Sequence, residues 1–564
     1  MKKTHLLLLA LISAVALRAQ SLQWGLSWGS TASDQFVYVH LSPQGDLYTC
    51  ARLPYTGTTD VDPGPAEQWI TTAGHLDILV SKFQPDGQLI WAKSVGGTGF
   101  DEADLRIDNE GNIYLTGFFS NEVDFDLGPG TFILTSSGGK DVFVAKYNAD
   151  MELIWARSIG GAQDDEVRAR ELDAQGRLVV AGNFAGTVDF DPGPGQLTLV
   201  ADSGSNVFAF CLDNNGSLVW ANNLGAAVAD NNNQSLAALA TDHSGNTTAL
   251  LNFTGQRDAD PGPGVLMFEA DTGLALIILR LQSNGQLLSA KMLGGTGGDI
   301  VPFTAEYDPQ NNLVICGLTF RQEDFDPGVK VRTLPDNTKA FLVKYTADSD
   351  LGWVKAFEGD DLGFIKKMLH RVAPNGDIYF TGSSIYGTID FDPGIGQFLL
   401  TSQANYNGFL AKYTPNGLLK WAYAQSNVDN SFTEGESLAI NEQGDIYLGG
   451  FFLGAFDCDP GFEAQILTTN GFGDHYVLKL LDNTVDVQEP GTLPSWQLMP
   501  NPSNGLISWD SQLSWHYSLR NALGVCLLEG VSVAGKNEID IRQAPAGVYF
   551  LQCEGGKTLK LIKQ

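Results

Sequence analysis

One acidic phrase is written seven times along the chain: Asp60-Val61-Asp62-Pro63-Gly64, Asp124-Phe125-Asp126-Leu127-Gly128, Asp189-Phe190-Asp191-Pro192-Gly193, Asp258-Ala259-Asp260-Pro261-Gly262, Asp324-Phe325-Asp326-Pro327-Gly328, Asp390-Phe391-Asp392-Pro393-Gly394 and Asp457-Cys458-Asp459-Pro460-Gly461. Its first Asp recurs every 64, 65, 69, 66, 66 and 67 residues. A fixed period of that size means one supersecondary unit copied in tandem. With 564 residues the chain outgrows a single ordinary core, whereas stacked copies build one large domain with a smaller one beside it.

The second copy shows the unit. Glu102 to Asp108 reads as a strand, followed by the turn Asn109-Glu110-Gly111 and a second strand, Asn112 to Phe119. A long loop carries Asp124 to Gly130. Asp141 to Tyr147 and Leu153 to Ile159 follow as strands, the last ending at Gly160-Gly161. Branched and aromatic runs bounded by Gly and Asn/Asp turns are the strand signature, and no stretch sustains a helical apolar period. Four antiparallel strands per repeat make one propeller blade. The turn glycine recurs as Gly45, Gly111, Gly176, Gly245, Gly376 and Gly444, with Asn311 in the remaining copy. Asn is the residue that most readily replaces Gly in a left-handed conformation. A fourth-strand Trp recurs as Trp24, Trp91, Trp155, Trp220, Trp353 and Trp421, with Ser289 the exception.

The phase of the ends matters most. Ser21-Leu22-Gln23-Trp24 aligns on the fourth-strand segment Gln88-Leu89-Ile90-Trp91, while the last copy stops at a third strand, His475 to Leu481. The N-terminal strand is therefore expected to complete the final blade, which removes two unpaired sheet edges. The expectation is an all-β chain: a seven-bladed β-propeller of four-stranded antiparallel blades over residues 20–482, its ring closed by the N-terminal strand. Trp91 to Glu102 together with Asp108 to Gly117 resembles the bacterial seven-bladed β-propeller repeat, and the resemblance covers nearly all of residues 20–482. Ser289 and Asn311 mark the copies that depart most. The resemblance implies an extracytoplasmic repeat domain and carries no defined catalytic residues.

Residues 1–19 read as a secretory signal, with Lys2-Lys3, the apolar run Leu6 to Leu17, and Leu17-Arg18-Ala19 before the cleavage point. That run is too short to span a bilayer, and no other segment comes closer. The net charge of −31 leaves −35 on residues 20–493, because the last 71 residues carry six Lys/Arg against five Asp/Glu and the first 19 carry three basic residues. Such a surface argues against nucleic-acid and anionic-membrane partners and favours divalent cations or basic partners. Cys50, Cys211, Cys316 and Cys458 fall in different copies and are not expected to pair. Cys526 and Cys553 share the C-terminal segment, where a bridge is the one pairing left open.

The acidic phrase has two readings. Carboxylates at i and i+2 point the same way along an extended segment, so Asp60 and Asp62, Asp124 and Asp126, Asp189 and Asp191, Asp258 and Asp260, Asp324 and Asp326, Asp390 and Asp392, and Asp457 and Asp459 form seven candidate Ca²⁺ sites. Alternatively each Asp accepts backbone N–H groups in an Asx-turn while Pro-Gly reverses the chain; the structural reading carries more weight. A second acidic set, Asp34, Asp101, Asp165, Asp230 and Asp299, follows the Gly-Gly ends of fourth strands and is expected on the same face. The third-strand Lys82, Lys146, Lys344, Lys412 and Lys479, replaced by Arg280 and Cys211 in two copies, are expected to pair with acids of their own blade. The seven histidines are scattered, none at zinc spacing, and the chain has no nucleophile elbow or phosphate loop. No catalytic residue is assigned.

A linker at 483–493 precedes a short-strand segment, 494–564, with a β-sandwich pattern expected to be Ig-like. Pro500-Asn501-Pro502 with Gly505, Ile539-Asp540-Ile541, Gly547-Val548-Tyr549-Phe550 and Lys560-Leu561-Ile562-Lys563 resemble, in order, the type A C-terminal sorting domain of the type IX secretion system of Bacteroidetes. Met499 stands where an aromatic is usual. The resemblance implies passage across the outer membrane through the type IX machinery, and a secreted or cell-surface protein. Two functions follow as expectations: a non-enzymatic binding or scaffold module for an extracellular protein or glycan, or an extracellular hydrolase with a carboxylate site in the propeller channel. A non-repeated acidic cluster lining that channel is the feature that separates them.

Overall fold

The computed structural model describes residues 20–483 and 506–563, apart from 31–34, 54–56, 73, 75, 227–235, 361–363, 395, 462–463, 512–515, 522–525, 532, 534, 546 and 554–557. The proposed signal, the linker beyond Asn483, and Pro500, Asn501, Pro502 and Gly505 lie outside the described residues, as do Asp34 and Asp230. Two compact units emerge, Met1–Asn483 and Thr484–Gln564. Every regular element among the described residues is a strand.

Among the described residues of the larger unit, seven sets of antiparallel strands follow in chain order, counted as sheets one to seven; the fourth and fifth are joined into one eight-stranded sheet and the seventh has five strands. The second sheet follows the expected pattern closely: Glu102–Ile107, Ile113–Phe119, Asp141–Tyr147 and Leu153–Ile159 pair antiparallel, neighbour to neighbour. The fourth and fifth sheets are joined by a short parallel contact, Thr272 with Thr296 and Leu274 with Asp299. The seventh sheet has four strands from its own copy, Ser426–Ile440, Ile446–Asp457, the short Ile466–Thr468 and Asp474–Asp482. Its fifth is Gln20–Trp28, running antiparallel to Asp474–Asp482 from the pair Gln20/Asp482 to the pair Trp28/His475. The N-terminal strand thus completes the last sheet.

The cores repeat the same logic. Each apolar cluster is shared by two consecutive sheets: the second packs on the first through Leu105, Leu115 and Phe143 against Cys50, Ile78 and Val80. Equivalent clusters join sheets two to three, three to four, four to five, five to six and six to seven. A further cluster joins the seventh to the first, with Tyr447 and Val477 meeting Val37, Val39 and Leu79. Alternation along each strand feeds one face into the preceding core and the other into the next, so both faces are apolar.

The long loop of the sequence reading is in part a hairpin. In the second sheet Glu122–Asp124 pairs with Ile133–Thr135, and in the third the strands Leu178–Asp189 and Thr198–Leu212 simply run on through a bulge. The acidic phrase is the turn that closes this extension. Gly97, in the loop between the first two sheets, bridges to Val123 of the second sheet's extension, so the two acid-bearing loops do adjoin.

The smaller unit has a four-stranded sheet (Cys526–Val531, His516–Asn521, Gly547–Cys553, Thr558–Lys563, in spatial order) and a two-stranded one (Leu506–Ser511, Gly535–Asp540). Ile507, Leu519, Ile539, Ile541, Tyr549 and Leu551 form its core. The side chains of Cys526 and Cys553 lie outside the described residues. Their backbones sit on strands separated by a third, opposite Arg520 and Tyr517 respectively. Two strand spacings are about 9.6 Å, beyond the roughly 7 Å Cα separation a disulfide tolerates. Cys50, Cys211, Cys316 and Cys458 are free and buried, as their placement in separate copies implied.

Candidate functional site

All seven acidic phrases fold alike. Oδ1 of the first Asp accepts two backbone N–H groups, two and eight residues on: for Asp124 these come from Asp126 at 3.0 Å and Phe132 at 2.8 Å. The pair recurs at Asp60, Asp189, Asp258, Asp324, Asp390 and Asp457. Oδ1 of the second Asp accepts the N–H of the phrase's glycine, at 2.7 or 2.8 Å in every copy: Asp62, Asp126, Asp191, Asp260, Asp326, Asp392 and Asp459. Each carboxylate is therefore a backbone acceptor, and its hydrogen bonds explain its presence without a cation. The residue between the acids is buried in all seven copies: Val61, Phe125, Phe190, Ala259, Phe325, Phe391 and Cys458. It nails the turn to the core, and in three copies a buried Tyr hydroxyl (Tyr147, Tyr345, Tyr413) donates to its carbonyl. The sequence signal was there, an apolar residue seven times between two acids.

The third-strand cations each pair with an acid of their own sheet, and Lys412 also meets Asp482 of the seventh sheet at 2.6 Å. Lys82 meets Asp46 at 3.0 Å, Lys146 Asp108 at 3.3 Å, Arg280 Asp242 at 3.1 Å, Lys344 Asp308 at 2.7 Å, Lys412 Asp377 at 2.8 Å and Lys479 Asp445 at 3.4 Å. Where Cys211 replaces the cation, the corresponding Asp173 is served by Arg177 at 2.6 Å instead. These groups are committed to the scaffold.

The described members of the second acidic set accept main-chain N–H groups, two of them from glycines. Asp101 Oδ2 accepts the Gly97 N–H and Asp165 Oδ2 that of Gly161, while Asp299 Oδ1 accepts the Leu274 N–H. Asp77 and Asp141 lie against Gly96 and Gly160, where any Cβ would strike their carboxyl groups. Burial pushes Asp101 up to about 6 and Asp165 up to about 7, against the backbone N–H bonds they accept. No cluster of three or more metal-type side chains occurs among the described residues.

The non-repeated chemistry is central. The first strands of all seven sheets contribute to one cavity of about 410 Å³: Leu41, Arg106, Glu171, Thr241, Glu306, Arg371 and Leu438 come one from each. A second cavity of about 350 Å³ continues from it, and Arg106, Glu171, Ala305 and Arg371 line both. Here charges form a network with no counterpart in other copies. His40 Nε2 lies 2.6 Å from Asp104 Oδ1, and Asp104 Oδ2 meets Arg106 at 2.9 Å and Arg170 at 3.2 Å. Arg106 in turn reaches Glu171 at 2.9 Å, and Lys367 meets Glu436 at 3.5 Å. Burial keeps His40 below the usual histidine range, so its neutral ring donates to Asp104. Burial opposes ionisation of Asp104, but His40, Arg106 and Arg170 outweigh it and hold the carboxyl well below its ordinary range. Glu306 Oε2 accepts the Val372 N–H at 2.8 Å, and burial lifts this group to about 7 although it faces the cavity and Arg371 opposes the rise. Sequence reasoning missed these residues, since none recurs in every copy: one first-strand position holds His40, Arg106, Glu171, Glu306 and Arg371 in different copies.

In the smaller unit Tyr549 Oη donates to the Pro545 carbonyl at 2.5 Å, and Lys563 Nζ to the carbonyls of Arg542, at 2.9 Å, and Ala544. Both fasten the turn after Ile541. Residues 497–564 match the secretion system C-terminal sorting domain family. The C-terminal unit is a secretion sorting domain. It directs the chain through the type IX machinery to the cell surface or the extracellular space. No helix among the described residues is long and apolar enough to cross a membrane.

Elsewhere the likenesses are distant. The chain is 27% identical over 181 residues to the regulatory protein FlaEY of Caulobacter vibrioides, covering 30% of this chain and 17% of that protein. It is 20% identical over 519 residues to an uncharacterized WD repeat-containing protein, L264, of Acanthamoeba polyphaga mimivirus, covering 77% and 36%. It thus spans well under half the length of either relative. Among solved structures the polysaccharide lyase Uly1 aligns over 67% of this chain and 89% of its own, at 11% identity and a TM-score of 0.29, too low to carry an argument.

Proposed function

We propose that residues 20–482 form a seven-bladed β-propeller closed by the strand Gln20–Trp28, followed by a small Ig-like sandwich. We also propose that the exported protein is a non-enzymatic binding or scaffold module taking an extracellular ligand at its central cavity. The observation that carries the reading is the single cavity lined by one first strand from each of seven sheets. The seventh-to-first core and the WD-repeat name of the mimivirus relative support the ring. Most cavity charges are locked in mutual pairs, which suits a rigid binding surface better than proton transfer.

The hydrolase reading keeps one specific support: Asp104, Glu171, Glu306 and Glu436 are non-repeated carboxylates lining the two cavities. Each except Glu306 is met by a cation within 4.0 Å. The acidic phrases are proposed as structural turns rather than Ca²⁺ sites. The test is a glycan and peptide array probed with the full chain, followed by incubation with every ligand that binds. Retention of intact ligand supports the binding module; cleavage that Glu306→Gln abolishes overturns it in favour of the hydrolase.

A further inference from the structure

Counting used and unused hydrogen-bonding capacity around the central cavity singles out two groups. Arg106 spends its guanidinium on Asp104, the Leu105 carbonyl and Glu171. His40 spends Nε2 on Asp104, and Tyr307 Oη meets Thr248 Oγ1 at 2.7 Å. Arg371 donates only Nε–H, to the Leu438 carbonyl at 3.1 Å, and its terminal nitrogens have no partner among the described residues. Glu306 uses only Oε2, on the Val372 N–H, beside Arg371 itself. The two side chains come from adjacent first strands and feel each other electrostatically, yet they form no ion pair within 4.0 Å. A guanidinium fork and a carboxyl group therefore face one cavity with donors to spare.

We propose that the central cavity binds the carboxylate of a small sugar-acid-sized ligand between Arg371 and Glu306; this rests on the reading of the cavity as the binding site. The planar fork of Arg matches a carboxylate bidentately. Glu306, when neutral, adds an O–H donor to the same anion, and its ionisation replaces that donor with a repelling charge. Burial already holds this group up to about 7, so a proton is available near neutrality. The groups facing it are His40 from the first sheet, Arg106 from the second, Glu171 from the third, His243 just beyond the fourth sheet's strand, Tyr307 from its own, and Arg371 from the sixth; the seventh contributes only Leu438, Ala439 and Ile440. With Glu306 neutral, Arg106 and Arg371 outnumber Glu171 around this cavity, which makes a positive focus inside a chain of net charge −31. The volume of about 410 Å³ admits a sugar acid.

The test is calorimetric titration of the full chain with gluconate, with uncharged glucose and cationic glucosamine as comparators, at pH 6.5, 7.5 and 8.5. Gluconate is expected to bind at least ~10-fold more tightly than glucose, because the fork has no anion to grip in the sugar. Its affinity is expected to fall about tenfold from pH 7.5 to 8.5 as a required proton is lost. Arg371→Gln should remove the preference for gluconate. Glu306→Gln, whose amide still donates, should keep binding and flatten the pH dependence, and His243→Gln should leave the pH dependence intact. Glucose or glucosamine bound as tightly as gluconate, and weakened by Arg371→Gln, would overturn the carboxylate assignment while leaving the cavity as the binding site. Array ligands whose binding ignores Arg371→Gln would overturn both, and no heat with any of the three probes would overturn the proposal itself.

Discussion

At the scale of the residue, one carboxylate oxygen closes each outer turn. Asp390 Oδ1 accepts two main-chain N–H groups, from Asp392 and Phe398. Asp390→Ala leaves both without their acceptor, at a cost of about 1–3 kcal/mol for each donor that water does not reach. Asp390→Asn keeps an acceptor oxygen and should cost much less; chemical denaturation of the two variants side by side checks the ordering. The capping carboxylates behind the glycines make a pH prediction. Asp165 rises from 3.8 to about 7 on folding because burial disfavours its charge. A raised acid pKa means its stabilising share is complete below pH 3.8 and is lost as pH climbs through 7, by at most about 1.4 kcal/mol per pH unit. The stability difference between Asp165→Asn and the parent should therefore shift in favour of the variant between pH 4 and pH 7. A difference that stays constant over that window would show that Asp165 ionises as freely as in the unfolded chain. The Asx geometry was legible because Asp, spacing and Pro-Gly are local facts. The buried residue between the acids was overlooked because its identity varies among Val, Phe, Ala and Cys while its burial does not.

At the scale of the element, the strand pattern and the left-handed turns were legible, and the outer hairpins were not. All seven turn positions have positive φ, including Asn311 at 64°. By contrast, Glu122–Asp124 and Ile133–Thr135 are ladders of three residues, too short to show a period. Four of the fourth-strand Trp residues, Trp24, Trp155, Trp220 and Trp353, dovetail with a turn glycine of the following sheet. Trp155 Nε1 donates to the Asn214 carbonyl at 3.1 Å, and a Cβ on Gly216 would sit 3.0 Å from the indole. Trp220 covers Gly285 and Trp353 covers Gly417 in the same way. Where Ser289 replaces the Trp, Ser349 replaces the glycine of the next sheet; Met151 also takes that glycine's place, beside an intact Trp91. The N-terminal strand is the element with the largest consequence. Deleting Gln20 to Trp28 exposes the full edge of Asp474–Asp482 and strips Trp28 from the seventh core. An uncovered edge invites intermolecular pairing. The truncated chain should unfold at lower denaturant and self-associate, measured by urea titration and light scattering. A monomer as stable as the parent would remove the closing role of that strand.

At the scale of the whole molecule, repetition made the frame readable and concealed the site. A tandem pattern announces what every copy shares, whereas Arg106, Glu171, Glu306 and Arg371 meet only because seven first strands share one cavity. The same contrast bears on calcium. A cation supplied at a hundred times its Kd adds about 2.7 kcal/mol per site, so seven occupied turns would move the thermal midpoint far. With every Oδ1 already engaged by main-chain donors, melting in EDTA and in added Ca²⁺ should coincide. A rise of several degrees with Ca²⁺ would restore the ion-binding reading of the turns. The C-terminal unit is legible in a different way, through motif blocks in order, and its physical independence gives the last prediction. Residues 20–483 and the sorting domain form separate units, each with its own core. Removing residues 497–564 should therefore leave the larger unit folded, with unchanged denaturation, yet hold it inside the outer membrane of a type IX-competent host. Cell fractionation separates the two effects. Folded protein recovered inside the cell envelope supports export through this domain alone, while undiminished secretion of the truncated chain would mean that a second signal lies within the larger unit.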